Sequence, residues 1–202
     1  MSTPNETRNT SRGLQFFILA CTLLVIGFGS GAASISLSTI FQEFALSYAI
    51  IGAVTSGVFL FLILFLALGG RLRALVGDKP LLMASTSTFV VGEALAGLAP
   101  DFSVWAIARL LQGSATGCLL SVSLAFVADS ARRQWRGDVI SVLLALYFLG
   151  TAFGPGVAGY ITAFYGWRDI AYVSAALGVI MLILQAAFVT APTRTEIETI
   201  FD

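Results

Sequence analysis

The chain has 202 residues, 57% of them hydrophobic and 11% charged, with equal numbers of basic and acidic residues and no histidine. A soluble domain of this size needs less apolar sequence and more surface charge, so the composition excludes the soluble class and points to a bilayer as solvent. Zero net charge leaves no electrostatic footprint for nucleic acid, and the lack of histidine removes His-based acid–base catalysis, Ser–His and Cys–His nucleophiles and most zinc sites.

A membrane-spanning helix needs roughly 20 apolar residues, and six segments meet that length. A tail over residues 1–13 carries Arg8 and Arg12 and precedes a first span at Leu14–Ile40, which contains Ser30, Ser34 and Ser38. Two arginines, an apolar run to Phe28 and then "GSGAAS" also resemble a cleavable signal peptide. The apolar character continues to Ile40, however, so the segment is read as a retained helix. The second span, Tyr48–Gly69, leads into a charged hairpin, "GRLRALVGDKPLL" at Gly70–Leu82, and the third is Pro80–Ala99. Glu93 is the one acid deep in a span. Breakers at Pro100 and Gly166 bound the next spans, Ser103–Ala128, Val139–Phe164 and Ile170–Ala191, before a tail over residues 192–202. Cys21 and Cys118 each sit inside an apolar run and read as small buried hydrophobes rather than a disulfide.

Basic residues set the orientation. With the N-terminus inside, Arg8, Arg12, Arg71, Arg73, Lys79, Arg132, Arg133, Arg136 and Arg194 are cytoplasmic, against Arg168 alone outside. That bias predicts a multi-pass protein of the cell membrane with both termini cytoplasmic.

The fourth span begins "SVWAIARLLQGSATG". Arg109 lies about 9 Å inside it, where an arginine costs at least a few kcal/mol unless it faces protein or water. Gln112, Gly113 and Thr116 share its face at i+3, i+4 and i+7. In the fifth span, Gly150, Gly154 and Ala158 form a small-xxx-small ridge that admits another backbone, and Pro155 deletes one helical hydrogen bond. The third and fourth spans form a tight hairpin turning near Asp101, with Glu93 and Arg109 each eight residues from it. The two belong at similar depth, which suggests a direct or water-bridged pair and makes Glu93 the candidate for proton coupling.

These stretches together resemble the N-terminal half of a major facilitator superfamily transporter. "RLLQG" at Arg109–Gly113 is similar to the family's helix-4 motif R-x-x-Q-G. "GTAFGPGVAG" at Gly150–Gly159 is similar to its helix-5 antiporter motif, with Gly150, Gly154, Pro155 and Gly159 matching and Ala158 replacing a glycine. "RG" at Arg136–Gly137 and "GWRD" at Gly166–Asp169 resemble its loops after helices 4 and 5. The resemblance implies an all-α bundle of six transmembrane helices made of two inverted three-helix repeats. It further implies that helices 1 and 4 line a central cavity, so that Arg109, Gln112, Thr116 and Ser34 face a translocation path. Proton-coupled export of a drug or metabolite is the implied activity, with no cofactor.

The hairpin resembles the family's gating loop at Gly70, Leu72, Gly77 and Lys79, but that loop's aspartate falls on Ala74 and one basic position on Asp78. In the family, basic residues of this loop meet an acid at the inner end of helix 4, a place held here by Asp129. Arg73, Lys79 or Arg132 are available to pair with Asp129. Asp78 should repel it, and the usual charge latch should not form.

Family members have twelve or more helices and this chain has six. It is therefore expected to be a fragment, one subunit of a two-chain transporter, or a half-size protein that dimerises, its termini letting two copies occupy the two half positions. The competing reading is a six-helix scaffold or accessory subunit that keeps the motifs as packing. In either case its partners are the bilayer and a second half, with a small molecule and protons as cargo of the transporter. A membrane-embedded protease is disfavoured, since the sequence has neither histidine nor an embedded aspartate pair.

Overall fold

The computed structural model describes residues 4–44, 47–131 and 133–189, without the side chains of 4–12, 36, 38, 41 and 130. Arg132, Arg194 and the whole C-terminal tail, all named above, lie outside those described residues, and the side chains of Arg8, Arg12 and Ser38 are among those not described. Six α-helices follow in order, α1 Pro4–Glu43, α2 Tyr48–Val76, α3 Asp78–Leu98, α4 Phe102–Ser130, α5 Arg136–Phe164 and α6 Trp167–Phe188, with one 3-10 turn at Arg133–Trp135. All six are long and apolar enough to cross a membrane.

Helix ends are set by local chemistry rather than by where apolarity stops. The Ser47 side chain accepts from the Ile50 N–H at α2, and Asp101 accepts from the Val104 N–H at α4 (3.0 Å), satisfying donors that a helix start leaves free. Gly77 (φ 88°) separates α2 from α3 and Gly166 (φ 117°) separates α5 from α6, both in a region that favours glycine. α1 begins well before Leu14, and α2 extends through Arg71 and Arg73, because charged residues at a helix end do not stop the helix.

The packing follows one exchange rule. α1 packs chiefly on α5 and α2 on α4; α3 packs on α4 and α1 on α6; α3 and α6 pack on each other. Exchanging α1 with α4, α2 with α5 and α3 with α6 maps this set onto itself, as two three-helix repeats of inverted direction require. Lipid is as apolar as leucine, so close contact rather than hydrophobicity must hold such helices together, and glycine makes it possible. A Cβ on Gly113 would lie 2.5 Å from Val58 O, and one on Gly117 2.3 Å from Leu62 O. At the related crossing, a Cβ on Gly27 or Gly31 would meet Tyr147 O (2.1 Å) or Thr151 O (2.2 Å), and one on Gly150 or Gly154 would meet Leu24 O (2.1 Å) or Phe28 O (2.5 Å). Here backbones touch.

Within one end of the bundle, Thr22, Thr86 and Gln185 tie α1, α3 and α6. Thr86 Oγ1 donates to Gln185 Oε1 (2.9 Å), Gln185 Nε2 donates to Thr22 Oγ1 (3.0 Å), and Thr22 Oγ1 donates to Ile18 O (2.8 Å). Gln185 is fully buried and both of its polar atoms are paired, which is the condition under which a buried amide is tolerated.

Candidate functional site

The two glycine crossings hold α1 against α5 and α4 against α2, and a cleft of about 150 Å³ opens between the two pairs. Its polar walls are Ser30 and Ser34 of α1, Thr55 of α2, Arg109, Gln112 and Thr116 of α4, and Tyr147 of α5. Val58, Phe59 and Leu62 supply an apolar side. Arg109, Gln112, Thr116 and Ser34 thus share one cavity. Ser34 Oγ donates to Gly31 O (2.5 Å) and Thr116 Oγ1 to Gln112 O (2.8 Å), which fixes both hydroxyls and leaves their lone pairs available to a ligand.

Arg109 is half-buried, and its guanidinium makes no ion pair or hydrogen bond among the described residues. It therefore presents unspent donors and a positive charge to a cleft with no acidic wall. Thr55, Trp105 and Tyr147 are cleft residues that sequence reasoning passed over. Trp105 had a signal, since it sits one turn before Arg109 on the same face. Thr55 and Tyr147 had none, because only the tertiary crossings bring α2 and α5 to this space.

Glu93 forms no direct pair with Arg109, since the ion pairs among the described residues are Arg73–Asp78, Arg73–Asp129 and Arg168–Glu43. The carboxylate turns inward from α3 toward α1, where a Cβ on Gly29 would be 2.7 Å from Glu93 Oε1. It lines a second, smaller cavity that shares Arg109 with the cleft.

The hairpin corrects an expectation. Asp78 does not drive Asp129 away, because Arg73 binds both. Arg73 Nε and Nη2 bond the Asp78 carboxylate, Nη2 at 3.1 Å, and Nη2 also reaches Asp129 Oδ2 at 2.5 Å. A charge latch therefore does form. The glycine break at Gly77 turns the chain so that Asp78, five residues after Arg73 at the start of α3, reaches the Arg73 guanidinium. Lys79 points elsewhere and donates to Ala186 O at the end of α6 (3.0 Å). Leu72 is half-buried against the core, whereas Gly70 is exposed with open space around it.

The helix-5 motif divides between two faces. Gly150, Gly154 and Ala158 are buried, and the two glycines meet α1. Pro155, Gly156 and Gly159 lie on the other side, where a Cβ on either glycine would meet nothing within 4 Å. The halves are linked by chemistry. Pro155 has no N–H for Thr151 O, four residues earlier, and that is the carbonyl against which Gly31 packs.

At the opposite end, α1, α3 and α6 share a clasp that no local pattern signalled, its partners being 124 residues apart. Trp167 Nε1 donates to Glu43 Oε2 (2.6 Å), Arg168 Nη2 pairs with Glu43 Oε1 (2.8 Å) and reaches Ala99 O (3.3 Å), and the Arg168 guanidinium lies 4.3 Å from the Trp167 ring centre. The Arg168 and Trp167 hydrogen bonds hold the Glu43 carboxyl below the usual carboxylate range.

Residues 19–200 match the family model of the Major Facilitator Superfamily. An uncharacterized MFS-type transporter of Mycobacterium tuberculosis is 30% identical over 183 residues, 91% of this chain and 26% of that protein. A protein of the same organism named multidrug resistance protein B homolog is 30% identical over 153 residues, 76% of this chain and 28% of that protein. The solved structure of the proton:xylose symporter XylE shares the fold at a TM-score of 0.79 and 16% identity, over 89% of this chain and 45% of that one. The chain spans about a quarter of the length of these curated relatives and just under half of that symporter. With the matched model covering nearly all of the chain, and the inverted repeats and six spans built as they are, this chain belongs to the Major Facilitator Superfamily.

Proposed function

We propose that the chain forms one half of a transporter that exports a small molecule in exchange for protons, the other half coming from the same polypeptide, a partner chain or a second copy. The observation that carries this reading is Arg109, a cation with no hydrogen bond or direct ion pair among the described residues, in a cleft walled on two sides by glycine-locked helix pairs. Such a group at membrane depth is costly unless it serves a ligand or a water-filled path. Large apolar side chains are left exposed, Phe59 in the cleft wall (59% exposed) and Phe153 of α5 (64% exposed) among them, and a second six-helix half would cover them. The relative named for multidrug resistance supports export of drug-like molecules. The lack of an acid in the cleft wall favours a cargo with an anionic or zwitterionic group. The end bearing Arg73 and Asp129 is assigned to the cytoplasm by its basic residues.

The test is efflux of an anionic dye, carboxyfluorescein, and of a cationic one, ethidium, from proteoliposomes under an imposed pH gradient. Gradient-driven efflux that Arg109→Ala abolishes is expected. Arg109→Ala with unchanged binding to a membrane partner, and no flux in the parent, would favour the scaffold reading. Crosslinking in native membranes followed by mass measurement identifies which second half is used.

A further inference from the structure

A third hollow lies at the end of the bundle that carries the Arg73–Asp129 pair. It is an open groove of about 250 Å³ between Gly13 and Phe16 near the start of α1, Phe126, Val127 and Ala131 at the end of α4, and Val139 at the start of α5. Phe126 and Val127 belong to the buried core, and Phe16 and Val139 pack against it, so the floor is apolar. Its one polar side chain is Gln15, itself only 8% exposed. A Cβ on Gly13 would meet nothing within 4 Å, which leaves the mouth wide on the α1 side.

The rim of this groove is charged. Arg133, Trp135 and Arg136 are all exposed on the turn that joins α4 to α5. Arg136 Nε donates to Ala131 O (3.4 Å), which seats that guanidinium on the groove wall and leaves its two Nη groups unspent among the described residues. Val139 follows Arg136 by three helical positions, so the arginine stands over the groove's face of α5. Neither Arg133 nor Arg136 enters an ion pair among the described residues. The neighbouring acids are placed otherwise. Asp129 is held by Arg73 (2.5 Å), and Asp138, two positions from Arg136, falls on a different side of α5. α5 also starts without a side-chain cap, and the positive end of its dipole adds to the two cations.

An apolar floor under a cationic rim narrows what fits. Water needs two to four polar neighbours and finds one polar side chain here. A peptide would bring N–H and C=O groups that an apolar wall does not satisfy. A hydrocarbon chain needs neither. In a bilayer, however, hydrocarbon gains little by leaving other hydrocarbon for an equally apolar groove, so the rim selects the occupant. Forked guanidinium groups match the oxygens of a phosphate, and tryptophan settles at headgroup level. We infer that the groove binds one anionic phospholipid, an acyl chain lying along Phe16, Phe126 and Val139 and the phosphate held by Arg133 and Arg136. The lipid bridges the α4–α5 turn to α1. The site does not depend on the transport reading, since a scaffold with the same groove and rim would hold the same lipid.

The test is native mass spectrometry of the full chain released from nanodiscs that hold phosphatidylglycerol and phosphatidylcholine in equal amounts, with matched acyl chains. Both lipids carry the phosphate, but the choline of the second repels the arginines. One phosphatidylglycerol is expected to stay bound, favoured over phosphatidylcholine by about fivefold per arginine. Arg136→Gln should lose about fivefold of that preference, and Arg133→Gln combined with Arg136→Gln nearly all of it. Gly13→Phe keeps both arginines and fills the groove from the α1 side, so it is expected to shed the lipid and to read the acyl contact apart from the charge. All three positions are exposed, and the melting temperature of each variant confirms its folding. Equal retention of the two lipids, a preference that survives loss of both arginines, or lipid retained in Gly13→Phe overturns the proposal. Displacement by excess inorganic phosphate overturns it too, because the rim would then be a site for a free anion. So does a parent that retains no lipid, whose groove a second half would fill instead.

Discussion

Two glycines of the helix-5 motif, nine residues apart, are predicted to respond oppositely to the same methyl group. In Gly150→Ala the new Cβ would stand 2.1 Å from Leu24 O, 2.8 Å from Phe28 N and 3.0 Å from Leu24 C, all backbone atoms of α1 that no side-chain rotation can clear. An ordinary carbon–oxygen contact is above 3 Å, so α1 and α5 must part by about an ångström along a crossing where dispersion falls by a quarter to a half for gaps of that size. Overpacking of this kind costs about 1–3 kcal/mol. In Gly159→Ala the same methyl meets nothing within 4 Å. Removing a glycine from a helix interior there contributes about 0.5–1 kcal/mol of stability in the isolated half. Thermal unfolding of the purified chain in detergent should thus separate the two variants by about 1.5–4 kcal/mol, with the parent between them. The cleft should follow, because the crossing sets the distance between Ser34 and Tyr147. Equal melting temperatures for Gly150→Ala and Gly159→Ala would mean that the α1–α5 crossing is looser than its glycines require, and the reasoning would fail.

The remaining predictions concern polar contacts. Thr86→Val leaves the buried Gln185 Oε1 without its donor and should cost about 1–3 kcal/mol in the same assay; Thr86→Val with Gln185→Leu should recover part of that loss. Arg73→Met breaks both hairpin pairs: Asp129 is 61% exposed and its share should stay within about 1 kcal/mol and shrink at high salt, whereas Asp78 is only 13% exposed and loses its cation, which should add about 1–3 kcal/mol. Glu43 is held ionised by Arg168 and Trp167, and a carboxyl whose folded value is depressed stabilises above its unfolded value and ceases to do so as pH falls through the folded one. The gap between parent and Glu43→Gln, about 0.2–1 kcal/mol for so exposed a pair, should therefore be full at neutral pH and close progressively below about pH 4.

The six spans were legible because a bilayer demands long apolar runs and tolerates few charges, and Arg109 was legible because it breaks that rule. Helix ends were less so. α2 continues through Arg71 and Arg73 to Val76, where hydropathy had stopped at Gly69, and what ends it is the positive φ of Gly77. The same turn explains why Asp78 was misjudged. Read as a string, it stands one position from Lys79 and four from Ala74. Folded, it lies under the Arg73 guanidinium together with Asp129. The depth argument placed Glu93 and Arg109 at one level, and both line one cavity, but depth says nothing of azimuth. Only the α3 face toward Gly29 determines that the carboxylate turns to α1 and stops short of a direct ion pair. Thr55 and Tyr147 were invisible for the reason that makes them matter, since their helices reach the cleft through glycine crossings with partners far away in the chain.

The α1–α5 crossing also bears on how the protein is made. Gly31 and Gly150 are separated by more than half of the polypeptide, and ribosomes add about 5–20 residues per second. Once made, α1 must therefore wait on the order of 10 s for its main partner. Throughout that interval a groove of bare backbone faces lipid or the insertion machinery. Any chaperone of nascent membrane segments that shields small-residue faces would meet its substrate here, on α1, before α5 has been translated.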